Sequence, residues 1–147
     1  MVKVVRSTII DAPPGTVWGV LGEFGAWSSW HPAYSDSVFE RGAKGDCVGS
    51  VRRVRLSSGQ EFSERLLALS HIDQALTTCL LETTLPLFNY VSHVRLGYVS
   101  DGQRTFLECE GRFDTPVGKR AELEGFVADE LFQTGFAALR HHLGLEA

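Results

Sequence analysis

Arg52, Glu64, Glu82 and Tyr90 are the side chains in this sequence best placed to do chemistry, because each shares a strand face with apolar neighbours. Successive side chains of a strand point to opposite faces, so residues two apart lie together. Val48, Ser50, Arg52, Val54 and Leu56 form one such face, and Phe62, Glu64, Leu66 and Ala68 another. Leu76, Thr78, Leu80 and Glu82 follow on the next strand, then Tyr90, Ser92, Val94 and Leu96. A charge on an apolar face must be paired or hydrated, since burying it alone costs several kcal/mol or more. Two arrangements satisfy these four residues. In one, Arg52 and Glu64 form an internal salt bridge that serves only the fold. In the other, the group lines a partly hydrated cavity whose polar atoms orient a ligand. Ser57-Ser58-Gly59 is the turn between the two strands, and counting outward from it makes Arg52 and Glu64 near cross-strand neighbours within ion-pair reach.

The second arrangement carries two functions. As a binding site, the cavity would be lined by Trp30, Arg52, Phe62, Glu64, Leu66, Thr78, Leu80, Glu82, Tyr90, Ser92, Leu131 and Gly135. As a catalytic site, Glu64 would shuttle a proton and Arg52 would stabilise an oxyanion or enolate, the pair that a cyclase, dehydratase or isomerase requires. Other candidates carry less. His31, between Trp30 and Pro32, could donate a proton at a cavity mouth, but reads better as a surface or capping histidine. His93 falls on the face opposite Tyr90, His71 in a turn, and His141 and His142 in a helix's last turn, where cations suit the dipole. Cys47, Cys79 and Cys109 are odd in number with no C-x-x-C pair, so three free thiols in a reducing cytoplasm are expected. No G-x-S-x-G, H-E-x-x-H or phosphate-cradling glycine loop is present, and no metal or cofactor is called for.

The elements that must position these residues follow from the same spacing. The chain has 147 residues, 44% hydrophobic and 22% charged, which makes one domain over residues 1–147 with a sizeable core. A net charge of -4 argues against a nucleic-acid binder. No apolar run approaches the roughly 18 residues that a membrane span needs, and the N-terminus lacks a secretory pattern, so a cytoplasmic monomer or homodimer is expected. Met1 to Ile10 reads as a strand, and Asp11-Ala12-Pro13-Pro14 opens a helix carrying Val17, Trp18, Val20, Leu21 and Phe24. Trp27 and Trp30 share a face of a second short helix that Pro32 ends. Strands are expected at Ser37–Glu40, Cys47–Leu56, Gln60–Leu69, Ala75–Thr84, Tyr90–Ser100 and Arg104–Phe113. The turns between them include Arg41-Gly42, Lys44-Gly45, Ser58-Gly59 and Asp101-Gly102, and such short connections imply antiparallel neighbours. From Val117 to Leu143 the pattern is helical, with Leu123, Val127, Leu131, Thr134 and Ala138 in its apolar stripe. An α+β fold, an antiparallel sheet of about seven strands curved around one long C-terminal helix, buries both apolar faces.

This pattern resembles the START-like, helix-grip superfamily (SRPBCC) in its polyketide cyclase/dehydrase branch. The resemblance rests on DAPPGTVWGVLGEFGAWSSWHP from Asp11 to Pro32, VGSVRRVRLSSG from Val48 to Gly59, FSERLLAL from Phe62 to Leu69 and LPLFNYVSHVRL from Leu85 to Leu96. With the terminal helix these cover nearly the whole chain in the expected order. The resemblance implies a hydrophobic cavity between sheet and helix. It also matches Arg52 to the arginine of a G-x-x-R segment, Glu64 to the glutamate before R-L, and Tyr90 to the tyrosine of N-Y. In lachrymatory-factor synthase the matching arginine and glutamate are thought to take part in isomerisation, and in the plant abscisic-acid receptors the matching positions line the hormone cavity. The departures are that the loop from Gly59 to Glu64 lacks the receptors' gate, and that no lysine stands near Ser35 to Ser37 to hold a hormone carboxylate. Glu82, a second inward acid, would disfavour an anionic ligand unless Arg52 offsets it. The resulting expectation is a protein that binds a small hydrophobic molecule such as a lipid, polyketide or aromatic metabolite. The alternatives are the enzyme described above and a protein-assembly factor.

Overall fold

Seven antiparallel strands in one open sheet form the frame of the computed structural model, which describes residues 1–40 and 47–145. They are β1 (Val2–Ile10), β2 (Tyr34–Phe39), β3 (Val51–Leu56), β4 (Glu61–Ser70), β5 (Ala75–Thr83), β6 (Phe88–Tyr98) and β7 (Thr105–Asp114). The order across the sheet is β1-β7-β6-β5-β4-β3-β2, which leaves β1 and β2 as its edges. The expected turns at Arg41-Gly42 and Lys44-Gly45 fall outside the described residues. α1 (Pro14–Leu21) starts with proline in its first turn, where the missing N–H is no loss. A 3-10 helix (Phe24–Ser29) follows and carries Trp27, while Trp30 lies just past its end.

Several strands depart from simple alternation, and the departures at Gly49 and Leu81 move Val48 and Glu82 off the inward face, as a further slip between Leu66 and Ala68 does for Ala68. The run expected from Cys47 becomes strand only at Val51, because Gly49 takes a left-handed φ of +94° that suits glycine and turns the chain. Val48 is consequently exposed instead of continuing the Arg52 face. On the β4–β5 ladder Glu64 pairs with Leu80 but Ser63 pairs with Glu82, so Leu81 is an extra residue in β5. Such a bulge shifts the phase of everything beyond it. Glu82 is therefore exposed, beside Ser63 on the other side of the sheet from Glu64, and the expectation that it points inward is corrected.

The C-terminal helical segment covers 23 residues as α2 (Arg120–Gly125), a π-helical stretch (Phe126–Gln133) and α3 (Thr134–His142). π-Helical bonds run from i to i+5, so the buried face does not keep the α-helical spacing. Leu123 and Val127 are buried as expected, but the stripe then moves to Phe132, Phe136 and Leu139, and Leu131, Thr134 and Ala138 are only half-buried. This segment lies over the sheet: a Cβ built on Gly111 of β7 would stand 3.3 Å from Val127 Cγ1 and 3.1 Å from the Tyr90 hydroxyl.

Candidate functional site

Arg52 and Glu64 face each other directly across β3 and β4. The Arg52 Nε and Nη2 groups both donate to Glu64 Oε1, at 2.9 and 2.6 Å, and Nη1 donates to the Phe24 carbonyl. The other carboxylate oxygen, Oε2, accepts from the Thr78 hydroxyl at 2.7 Å. Aromatic rings surround the guanidinium, whose Cζ is 4.1 Å from the Phe24 ring centre, 4.8 Å from Trp27 and 5.4 Å from Tyr34. Arg52 has no solvent exposure (0%). The delocalised, weakly hydrated guanidinium tolerates such a place better than an ammonium would, since its planar fork matches a carboxylate and its face stacks on rings.

Above this ion pair lies a pocket of about 60 Å³ between the sheet and the C-terminal helical segment. Its walls are apolar side chains such as Trp27, Phe62, Leu80, Phe132 and Leu139, with Glu64, Tyr90 and Ser92 among its few polar residues. Burial raises the Tyr90 hydroxyl's pKa well above the ordinary tyrosine value, with the charge on nearby acidic groups adding to it, so Tyr90 is a neutral phenol. Its ring stacks on Phe113 with centres 5.7 Å apart. Tyr34 is likewise raised, first by burial and then by Glu64.

His31 is buried at the wall of this pocket, and both its ring nitrogens are engaged. Leu131 O can only accept, so the contact at 2.8 Å makes Nε2 the protonated nitrogen; Nδ1 accepts from the Ala33 N–H at 3.2 Å. This is the neutral tautomer. Burial lowers the imidazole's pKa, the Leu131 bond opposes the shift, and the Arg52 charge adds to it. His31 therefore ties the segment after the 3-10 helix to the π stretch. Its ring stacks on Tyr34, centres 4.7 Å apart. Gly135 makes room for it, because an added Cβ would stand 3.0 Å from Nε2.

Eight of the residues expected from the sequence border the pocket: Trp30, Phe62, Glu64, Leu80, Tyr90, Ser92, Leu131 and Gly135. Arg52, Leu66 and Thr78 are buried but do not line it; Arg52 and Thr78 instead hold Glu64 in place from behind. Glu82 is on the outside. The expected set omits Tyr34 and His31, along with apolar liners such as Trp27, Phe132 and Leu139. Tyr34 pairs with Leu56, an inward residue, so opposed positions put both on one face; starting β2 at Ser37 hides that signal. The partner of His31 is one hundred positions away in sequence, so its burial left no local sign. Among the described residues no cluster of three His, Cys, Asp or Glu side chains could hold a metal ion. Among them too, no helix is long and apolar enough to cross a membrane.

Comparison with known proteins gives a family match over residues 1–144, described as polyketide cyclase / dehydrase and lipid transport. No curated protein matches the chain. Solved structures do. The protein XoxI from Bacillus cereus is 23% identical with a TM-score of 0.87, covering 100% of this chain and 99% of that one. A Thermobifida fusca protein is 28% identical with a TM-score of 0.85, covering 99% and 96%. An uncharacterised Bacillus thuringiensis protein is 22% identical with a TM-score of 0.83, covering 96% and 98%.

Proposed function

Because the chain belongs to the polyketide cyclase / dehydrase and lipid transport family, we propose that it binds a small apolar molecule in the pocket between sheet and C-terminal helical segment. In this reading the sheet grips the helix, and the space between them is the binding cavity. The observation that carries the reading is the lining itself, apolar and aromatic walls with a few convergent polar groups, which is the usual make-up of a ligand site. The volume of about 60 Å³ is several times the roughly 10–15 Å³ that one water needs but below the roughly 150 Å³ of a cavity that takes benzene, so the pocket has to widen for a single ring and is far too small for a long acyl chain.

Binding is favoured over catalysis by the position of Arg52. Cyclase or isomerase chemistry needs a cation and a carboxylate converging on one substrate. Here the cation stands behind the carboxylate, each of its three nitrogens already bonded to Glu64 or Phe24, and both Glu64 oxygens already accept a hydrogen bond. The test is native mass spectrometry of the purified protein, for a co-purifying apolar molecule or for retention of added single-ring aromatics. Retention of an unchanged molecule, lost in a pocket-filling Leu131→Trp variant that still folds, is the expected result. Retention unaffected by that variant would overturn the reading. Conversion of the molecule, abolished by Glu64→Gln, would replace it with the enzyme.

A further inference from the structure

We infer, building on the ligand-binding reading above, that the pocket selects uncharged molecules carrying a hydrogen-bond acceptor and rejects carboxylates. Charge is the first argument. Glu64 is the one ionised side chain among the pocket's described lining residues, and its charge is already matched by Arg52. Arg52 cannot turn to meet a second anion, because it has no exposure and is held between three aromatic rings and the Phe24 carbonyl. His31, the remaining basic group at the wall, is neutral and bonded at both nitrogens. Gaining a second proton would cost it the Ala33 bond. The groups facing it do not offset that: Arg52 opposes a positive imidazole, and Glu130 favours it less than Arg52 opposes it. A bound carboxylate would thus give up its water for a site with a carboxylate and no free cation.

The second argument is an orphan donor. Trp30 lines the pocket, and its indole N–H, closed off from the pocket space and without a hydrogen-bond partner, meets an acceptor there once the ring turns toward the ligand. The other two indoles are satisfied, Trp27 by the Leu21 carbonyl at 3.1 Å and Trp18 by His71 Nδ1 at 3.0 Å. Buried donors in folded proteins almost always find an acceptor, so an unanswered one in a pocket wall points to an acceptor supplied by the ligand. A ketone, ester or ether oxygen fits both arguments.

Three single-ring probes of similar shape separate these possibilities: acetophenone, benzoate and ethylbenzene. Binding is followed at neutral pH by the indole N–H resonances of the nitrogen-15-labelled protein. Acetophenone is expected to bind at least about tenfold more tightly than benzoate, and to shift the Trp30 resonance more than those of Trp18 and Trp27. Trp30→Phe is expected to erase the advantage of acetophenone over ethylbenzene while ethylbenzene still binds. Benzoate binding as tightly as acetophenone would overturn this inference alone, as would an unmoved Trp30 resonance in the wild-type complex. Failure of all three probes to perturb the pocket residues would overturn the ligand-binding reading, and this inference with it.

Discussion

Arg52 survives without solvent because every part of its guanidinium is answered: the fork by Glu64, one edge by the Phe24 carbonyl and the face by aromatic rings. Removing one partner strands the other charge. Arg52→Met is therefore expected to cost about 3–5 kcal/mol in chemical denaturation, while adding Glu64→Leu restores most of it. A double variant as unstable as the single one would show that the site needs the charges themselves. His31 makes a pH prediction. Its folded pKa lies below the ordinary 6.5, so between the two values the unfolded chain binds more protons. Its contribution is thus fully present above about pH 6.5 and is lost as pH falls through that window. Urea midpoints measured from about pH 7.5 to about pH 5 should fall in the wild type and fall less steeply in His31→Gln, whose amide can still donate to Leu131 O.

Two elements owe their behaviour to one residue each. The bulge at Leu81 turns Glu82 out, so Glu82→Ala should change stability by no more than about 0.5 kcal/mol and leave aromatic binding intact. A loss of binding in that variant would mean that Glu82 reaches the pocket after all. In the C-terminal helical segment, two glycines with helical neighbours should respond in opposite directions. Gly125 has helical angles and open space around its missing Cβ, so Gly125→Ala should stabilise by about 0.5–1 kcal/mol. Gly135→Ala gains the same propensity but drives a methyl against the His31 ring, and overpacking of this kind costs about 1–3 kcal/mol. Thermal denaturation of the two variants beside wild type should show one rise and one fall.

At the scale of the whole molecule, the three free cysteines sample different depths of the fold. Cys47 is exposed, whereas burial pushes the Cys109 thiol up to about 12, with Glu108 adding to the shift. A thiol reagent at neutral pH should label Cys47 at once and Cys109 only at the rate of global opening, since the thiolate is the reacting form. Fast labelling of Cys109 in folded protein would reveal a local opening of the pocket wall, where that thiol lies. Alternation along β3, β4 and β6 was enough to put Arg52, Glu64 and Tyr90 on one face, because the two-residue period is local and needs no partner strand. The order of seven strands and a terminal helix was legible for the same reason. Tertiary structure alone decided what lies at the pocket surface and what lies beneath it. The depth of Arg52 depends on Phe24 and Trp27, brought from another element. The side taken by Glu82 depends on a pairing slip against β4, and the burial of His31 on a carbonyl of the distant π stretch. Each of these is a contact between segments remote in sequence, and the local periodicity of a chain holds no record of its partners' register or distance.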